Sequence, residues 1–114
     1  MARVVSIATD LMLASRVDAG LTAAGHSVVL AGSVEAAPLD QVDAIVADLD
    51  VADPEALAAT GVPVLGYYSH VDADTKAAAE AAGVDKVVPR SRMSRELPDL
   101  VAALLAGGPA SSSQ

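Results

Sequence analysis

The chain has 114 residues, of which 53% are hydrophobic and only 2% aromatic, and it carries a formal net charge of -8 at pH 7. This length gives one domain that buries roughly two thirds of its unfolded surface, and the apolar fraction excludes intrinsic disorder. The acidic balance argues against nucleic acid as a partner, and the absence of cysteine excludes disulfides, thiolate metal sites and a cysteine nucleophile.

Short apolar runs alternate with segments of helical periodicity along the chain. The first strand is predicted at residues 3–8, and a helix follows it in which Asp10 is placed to cap the start and Gly25 to end the helix. A second strand is predicted at residues 27–31. Pro38 then leaves room for little more than one helical turn within residues 33–41.

The second half of the chain continues this alternation, with strands predicted at residues 43–47, 62–68 and 86–88. Asp53 and Pro54 indicate a helix start, and Gly61 ends that helix early. An alanine-rich helix is predicted over residues 72–82 and a last helix over about 95–106. Residues 108–114 are rich in serine and are predicted to form a disordered tail, which leaves one domain at residues 1–107.

Five apolar strands separated by helices predict an α/β fold in which a parallel sheet is covered on both faces. In such sheets the functional residues lie beyond the carboxyl ends of the strands. Asp48 stands out there, because it ends a strand that is otherwise apolar. The other polar residues at these ends are Thr9, Asp10, Asp50, Ser69, His70 and Arg90, together with the aromatic Tyr68.

The chain resembles the receiver domains of bacterial two-component response regulators over residues 3–106. The resemblance depends on the order and spacing of seven segments: DLML at 10–13, AGHSVV at 24–29, DAIVADLD at 43–50, VPVL at 62–65, SHVD at 69–72, AAGVD at 81–85 and SREL at 94–97. It implies a flavodoxin-like, three-layer αβα sandwich with a five-stranded parallel sheet in the order 2-1-3-4-5. The second and third helices are predicted to be shorter than in the family.

The resemblance also implies a site. Asp48 matches the phosphoacceptor, but the acidic pair that holds Mg²⁺ in working receivers falls on Ala8 and Thr9, with Asp10 one step beyond it. Alanine supplies no ligand to a metal that needs several oxygen ligands. We therefore expect no bound cofactor, and weak or absent Mg²⁺ binding.

Two further positions of the family's site also depart from its pattern. The switch hydroxyl falls on Tyr68, or on Ser69 if the strand slips by one residue, and the lysine falls on Arg90. Arginine presents a planar fork in place of a compact ammonium group. A hypothesis follows, in which Arg90 forms a permanent bidentate pair with Asp48 and holds the domain in one conformation.

Simpler roles exist for most of these residues. Asp10 and Asp53 suit helix N-caps better than metal ligands, and a divalent ion held by Asp48, Asp50 and Asp53 is the weaker alternative. His70 is more simply a solvated loop residue than a proton donor. Tyr67 and Tyr68 point to opposite sides of one strand, so that one belongs to the core and the other lies near the site or on a contact surface.

The expected function is that of a stand-alone, non-enzymatic pseudo-receiver in bacterial signal transduction, which acts through a protein partner such as a histidine kinase. One alternative is a functional single-domain response regulator phosphorylated on Asp48 by a histidine kinase. The other is a flavodoxin-like domain that binds a nucleotide, flavin or cobalamin, although no glycine-rich phosphate loop follows the first strand.

The reduced helices predict that one face of the sheet is thinly covered and that apolar side chains of the central strands are partly accessible. Exposed apolar patches mark interaction surfaces, so we expect self-association as a homodimer or a protein partner on that side. No apolar run reaches the length of a membrane span and no signal peptide is visible, which predicts a cytoplasmic protein without membrane contact.

Overall fold

The computed structural model describes residues 2–69 and 73–107. Its strands are β1 (Arg3–Ile7), β2 (Ser27–Ala31), β3 (Ala44–Asp48), β4 (Val64–Tyr68) and β5 (Lys86–Pro89). They form one parallel sheet in the order β2-β1-β3-β4-β5, which confirms the predicted topology. The predicted tail at 108–114 and the loop residue His70 lie outside the described residues, and the domain limits stay a prediction.

Four helices lie in the described part of the chain: α1 (Leu11–Ala23), α2 (Pro54–Ala59), α3 (Ala73–Ala82) and α4 (Arg90–Gly107). Asp10 caps α1 as predicted, because its Oδ1 accepts hydrogen bonds from the backbone N–H groups of Met12 and Leu13. Asp53 occupies the N-cap position of α2, but its side chain makes no capping hydrogen bond. None of these helices is both long and apolar enough to cross a bilayer.

The last helix begins five residues earlier than the prediction of about residue 95. It consists of two helical pieces that meet at Glu96, whose φ of -119° and ψ of 16° are not helical. Pro98 explains this kink, since a proline ring clashes with the carbonyl group four residues before it and has no N–H to donate. The first piece carries Met93, which is fully buried and packs in the same core cluster as Leu97.

The segment between β2 and β3 is reduced further than predicted. Residues 32–43 contain turns but no helix, so the short second helix expected there does not form. Its apolar side chains still pack against the sheet, with Val34, Leu39 and Val42 partly buried against the core. The loop therefore does the covering that a helix would do.

The prediction of accessible central strands is wrong. Every residue of β3 and β4 is buried, on both faces of the sheet. Helices α1 and α4 cover one face with a cluster that includes Leu21 and Val101, while α2, α3 and the 32–43 loop cover the other. Small side chains make this possible, since Ala79 of α3 is fully buried and a Cβ on Gly83 would lie 3.2 Å from the Cβ of Ala58 in α2.

We expect Leu57→Ala to lower the free energy of unfolding by about 2–5 kcal/mol, because Leu57 is the buried anchor of the two-turn helix α2. Urea unfolding at neutral pH measures this loss. The matched control is Leu11→Ala, since Leu11 is 75% exposed and its truncation should change stability by less than about 0.5 kcal/mol. Equal losses in the two variants would mean that α2 does not hold this face of the core.

Candidate functional site

The carboxyl ends of the strands meet at one edge of the sheet, and Asp48 lies there at the tip of β3. Asp48 is only 3% exposed. The backbone fixes its position, since the Asp48 carbonyl accepts hydrogen bonds from the N–H groups of Val51 and Ala52, and the Leu49 N–H donates to the Tyr67 carbonyl. Asp48 is therefore a buried carboxylate on a rigid support.

The carboxylate of Asp48 has little compensation for its burial. Within residues 2–69 and 73–107, its Oδ1 accepts one hydrogen bond, from the backbone N–H of Asp50 at 2.9 Å. Burial is the largest influence on the Asp48 pKa and raises it, and the nearby carboxylates of Asp50 and Asp10 act in the same direction. The Asp50 N–H and the Arg90 charge lower the pKa but do not reverse the shift.

Arg90 lies beside Asp48, as the sequence predicts, but the two side chains do not form the bidentate pair of the hypothesis. One contact joins Arg90 Nη2 to Asp48 Oδ2, at 3.8 Å, which is too long for a hydrogen bond. The Nε of Arg90 is buried and donates to no partner among the described residues. Arg90 therefore gives Asp48 a nearby positive charge without direct hydrogen bonding.

Asp50 and Ser69 form a second polar contact at this edge. The Ser69 hydroxyl donates a hydrogen bond to Asp50 Oδ2 at 2.5 Å. Both residues are exposed, whereas Asp48 is buried, so this contact lies on the outer side of the site. Ser69 is thus occupied by Asp50 and does not hydrogen-bond to Asp48.

The end of β1 supplies little to the site. Ala8 is buried and its backbone N–H donates to the Ala31 carbonyl, while Thr9 is exposed. Asp10 is close enough to influence the Asp48 pKa, but one of its carboxylate oxygens caps α1. In the described part of the chain, no group of three or more acidic or histidine side chains is arranged to hold a metal ion.

Tyr67 is a further neighbour of Asp48. The sequence predicts only that its side chain and that of Tyr68 point to opposite sides of the strand. Tyr67 is the register partner of Asp48 across β3 and β4, and it is fully buried in the cluster under α1 and α4. Burial raises the pKa of its phenol well above the usual range, and the Asp48 charge adds to the shift. The hydroxyl makes no hydrogen bond to any described group.

Tyr68, the predicted position of the switch hydroxyl, packs on the opposite face of the sheet with the cluster under α2 and α3. It is 7% exposed and belongs to the core. The period of two along β4 gives this result, because Asp48 and Tyr67 share one face and Tyr68 takes the other. Which of the two tyrosines shares a face with Asp48 depends on the register between β3 and β4, which spacing along the chain does not reveal.

Arg16 and Ser94 were not identified from the sequence. Arg16 lies on the exposed side of α1, and its Nη1 donates to the Ser94 hydroxyl of α4 at 2.9 Å. The two residues are 78 positions apart in the sequence, so no local sequence pattern predicts the contact. Arg16 also lines a depression together with Arg90 and Asp10.

Solved structures with the same architecture include response regulators. The chain superposes on a response regulator receiver domain protein from Clostridium thermocellum with a TM-score of 0.80 and 14% identity, covering 93% of this chain and 95% of that one. For the receiver domain of the Francisella response regulator 1452, the TM-score is 0.79, the identity 17% and the coverage 93% and 98%. A response regulator protein from Burkholderia multivorans gives 0.72, 24%, 91% and 95%.

These similarities show that the chain has the receiver-domain fold, which confirms the fold implied by the sequence resemblance. No protein-family model and no curated protein sequence matches the chain. The fold places Asp48 at the edge where such sheets carry their functional residues.

We expect Asp48→Asn to raise the free energy of unfolding at pH 7. The raised pKa means that ionised Asp48 is less favourable in the folded protein than in the unfolded chain, and asparagine removes this cost while its amide oxygen still accepts the Asp50 N–H. The gain should shrink as the pH falls through the raised pKa and vanish at about pH 3 and below, where Asp48 is neutral in both states. Urea unfolding across this pH range measures the difference.

The control for this experiment is Asp99→Asn, which neutralises an exposed carboxylate on α4 away from the site. It should show little of the pH-dependent gain. A loss of stability in Asp48→Asn at pH 7 would instead mean that Arg90 compensates the buried charge fully.

Tyr67→Phe is expected to leave the free energy of unfolding within about 1 kcal/mol of the wild-type value or to raise it, because the hydroxyl it removes is buried without a partner in the described part of the chain. Tyr67→Ala should cost about 3–5 kcal/mol through lost packing. Thermal and urea unfolding compare the two. A large loss in the phenylalanine variant would show that the hydroxyl has a partner in solution.

Proposed function

We propose that this chain is a receiver-fold signalling module that works by binding another protein, without Mg²⁺-dependent phosphorylation of Asp48. The observation that carries the proposal is that β1 contributes Ala8 and Thr9, and no pair of carboxylates, to the edge where Arg90 lies beside Asp48 Oδ2. The Oδ2 atom of Asp48 thus faces the positively charged guanidinium of Arg90.

The residues present do not suit Mg²⁺. The ion prefers six oxygen ligands in octahedral geometry and is usually bound through one or two carboxylates. Asp48 could contribute one carboxylate oxygen to a cation. Asp50, however, already accepts a hydrogen bond from the Ser69 hydroxyl, and Asp10 caps a helix.

Phosphoryl transfer to a carboxylate depends on positioning and on neutralising the charge of the transferred group, and a metal ion supplies much of both. Arg90 supplies one positive charge, but its Nη2 lies beyond hydrogen-bond distance from Asp48 and its Nε is buried.

Exposed apolar side chains beside the site support a role in protein binding. Leu11 and Met12 begin α1 next to Asp10 and are 75% and 84% exposed, and Leu30 of the edge strand β2 is 51% exposed. Leu11 and Leu30 line the same depression. Contiguous apolar surface on a small domain favours contact with another protein.

The test is amide NMR during titration with Mg²⁺ and beryllofluoride, which mimics a phosphoryl group on a carboxylate. We expect no saturable shifts at Asp48 or Tyr67 at millimolar ligand, since the ligand set for Mg²⁺ is incomplete. Saturable shifts at these residues, or labelling of Asp48 by acetyl phosphate, would favour the alternative of a working response regulator phosphorylated by a histidine kinase.

A matched variant shows whether the missing acidic pair is the cause. Ala8→Asp combined with Thr9→Asp should destabilise the protein without metal, because it adds carboxylates beside buried Asp48. Millimolar Mg²⁺ should raise the melting temperature of this variant and leave the wild-type value unchanged. The same Mg²⁺ response in both proteins would contradict the proposal.

A further inference from the structure

A groove lies beside Asp48 where the start of α4 meets α1. Its volume is about 520 Å³, and its walls include Arg16, Arg90, Arg95, Ser91 and Ser94. A smaller depression of about 210 Å³ also has Arg16, Arg90 and Ser94 in its lining. The two arginines therefore border both openings, one from α1 and the other from the first turn of α4.

The charge of this groove is opposite to that of the protein. The chain carries -8 overall and has seven lysines and arginines in total, yet three arginines line this one groove. In a protein with a surplus of acids, the nearest carboxylates would be expected to neutralise such a group. The contacts of the three arginines show how far this happens.

Neutralisation is incomplete. Arg16 has no carboxylate within 4.0 Å in the described part of the chain, and its hydrogen bond to Ser94 holds it at the groove wall. Arg90 contacts buried Asp48 only at 3.8 Å. Arg95 lies 3.5 Å from Glu96, but Glu96 also contacts Arg92.

We propose that this groove binds a small ligand through its phosphate group. Guanidinium forks match the oxygens of phosphate and form charge-assisted hydrogen bonds with them, and the hydroxyls of Ser91 and Ser94 are further donors in the same wall. A ligand with two negative charges suits three arginines that share few carboxylates. A monocarboxylate would leave part of this charge uncompensated.

The size and the surroundings of the groove favour a small molecule over a macromolecule. A volume of about 520 Å³ lies within the range of small-molecule sites. A nucleic acid or an acidic protein segment would extend beyond the groove onto a surface whose net charge repels it. A compact phosphorylated ligand would contact the groove alone, whose described lining has three arginines and no carboxylate.

Binding is measured by isothermal titration calorimetry and amide NMR with inorganic phosphate and with ADP, at constant ionic strength set by chloride. We expect saturable shifts at Arg16, Arg90 and Ser94. Arg16→Gln should weaken binding by about tenfold to a hundredfold, because it removes a charge-assisted interaction. Arg3→Gln, which changes an exposed arginine at the opposite edge of the sheet, should leave the affinity unchanged.

The site does not depend on Asp48 as an acceptor, so its test is separate from that of the proposed function. Asp48→Asn should bind phosphate as tightly as the wild-type protein or more tightly, since Arg90 is then freed from its carboxylate. Loss of binding in this variant would overturn the proposal, and so would the absence of saturation or an equal effect of Arg16→Gln and Arg3→Gln.

A phosphoserine peptide of otherwise neutral sequence separates the sources of the phosphate. Weaker binding of the peptide than of ADP supports a small-molecule site. Tighter binding of the peptide by tenfold or more would overturn that form of the proposal and assign the groove to a phosphorylated protein segment.

Discussion

The burial of the Asp48 carboxylate is the constraint on which the carboxyl edge of this sheet depends. A carboxylate that leaves water loses its hydration, and the loss must be offset by hydrogen bonds or opposite charge. Here one backbone N–H binds directly and one guanidinium lies at 3.8 Å, while two other carboxylates oppose ionisation. The site is therefore short of positive charge close to Asp48, and Arg90 supplies part of it.

The fold maintains this burial although two of its connections are short. β3 lies in the middle of the sheet, so Asp48 is enclosed only if both faces are covered. α1 and α4 do this on one face with large side chains such as Leu21 and Met93. On the other face alanines let α2 and α3 lie close to the sheet, and a loop without a helix fills the remaining gap. Small helices reduce the layer's thickness without opening the core.

Features that depend on local sequence signals can be predicted from the sequence, whereas those that depend on contacts between distant residues cannot. β2 was predicted residue for residue, and the limits of β1, β3, β4 and β5 to within two residues, because apolar runs and turn residues are local signals. The first piece of α4 was missed, since residues 90–95 contain one large apolar residue and no periodic pattern. The pairing of Asp48 with Tyr67 needed the strand register, and the contact of Arg16 with Ser94 needed the packing of α1 against α4. Neither can be derived from spacing along the chain.

Arg90 connects the two parts of this edge. Its guanidinium faces Asp48 on the inside and lines the groove shared with Arg16 on the outside. A phosphate in the groove and ionised Asp48 would thus compete for one positive charge, and each would weaken the other's hold on Arg90. Such competition is reciprocal, because a ligand that draws Arg90 outward leaves the buried carboxylate less compensated by the same free energy that Asp48 takes from ligand binding. A bound metal ion can dissociate, whereas Arg90 is part of the chain. A ligand-dependent change at this edge must therefore alter the contacts that Arg90 makes.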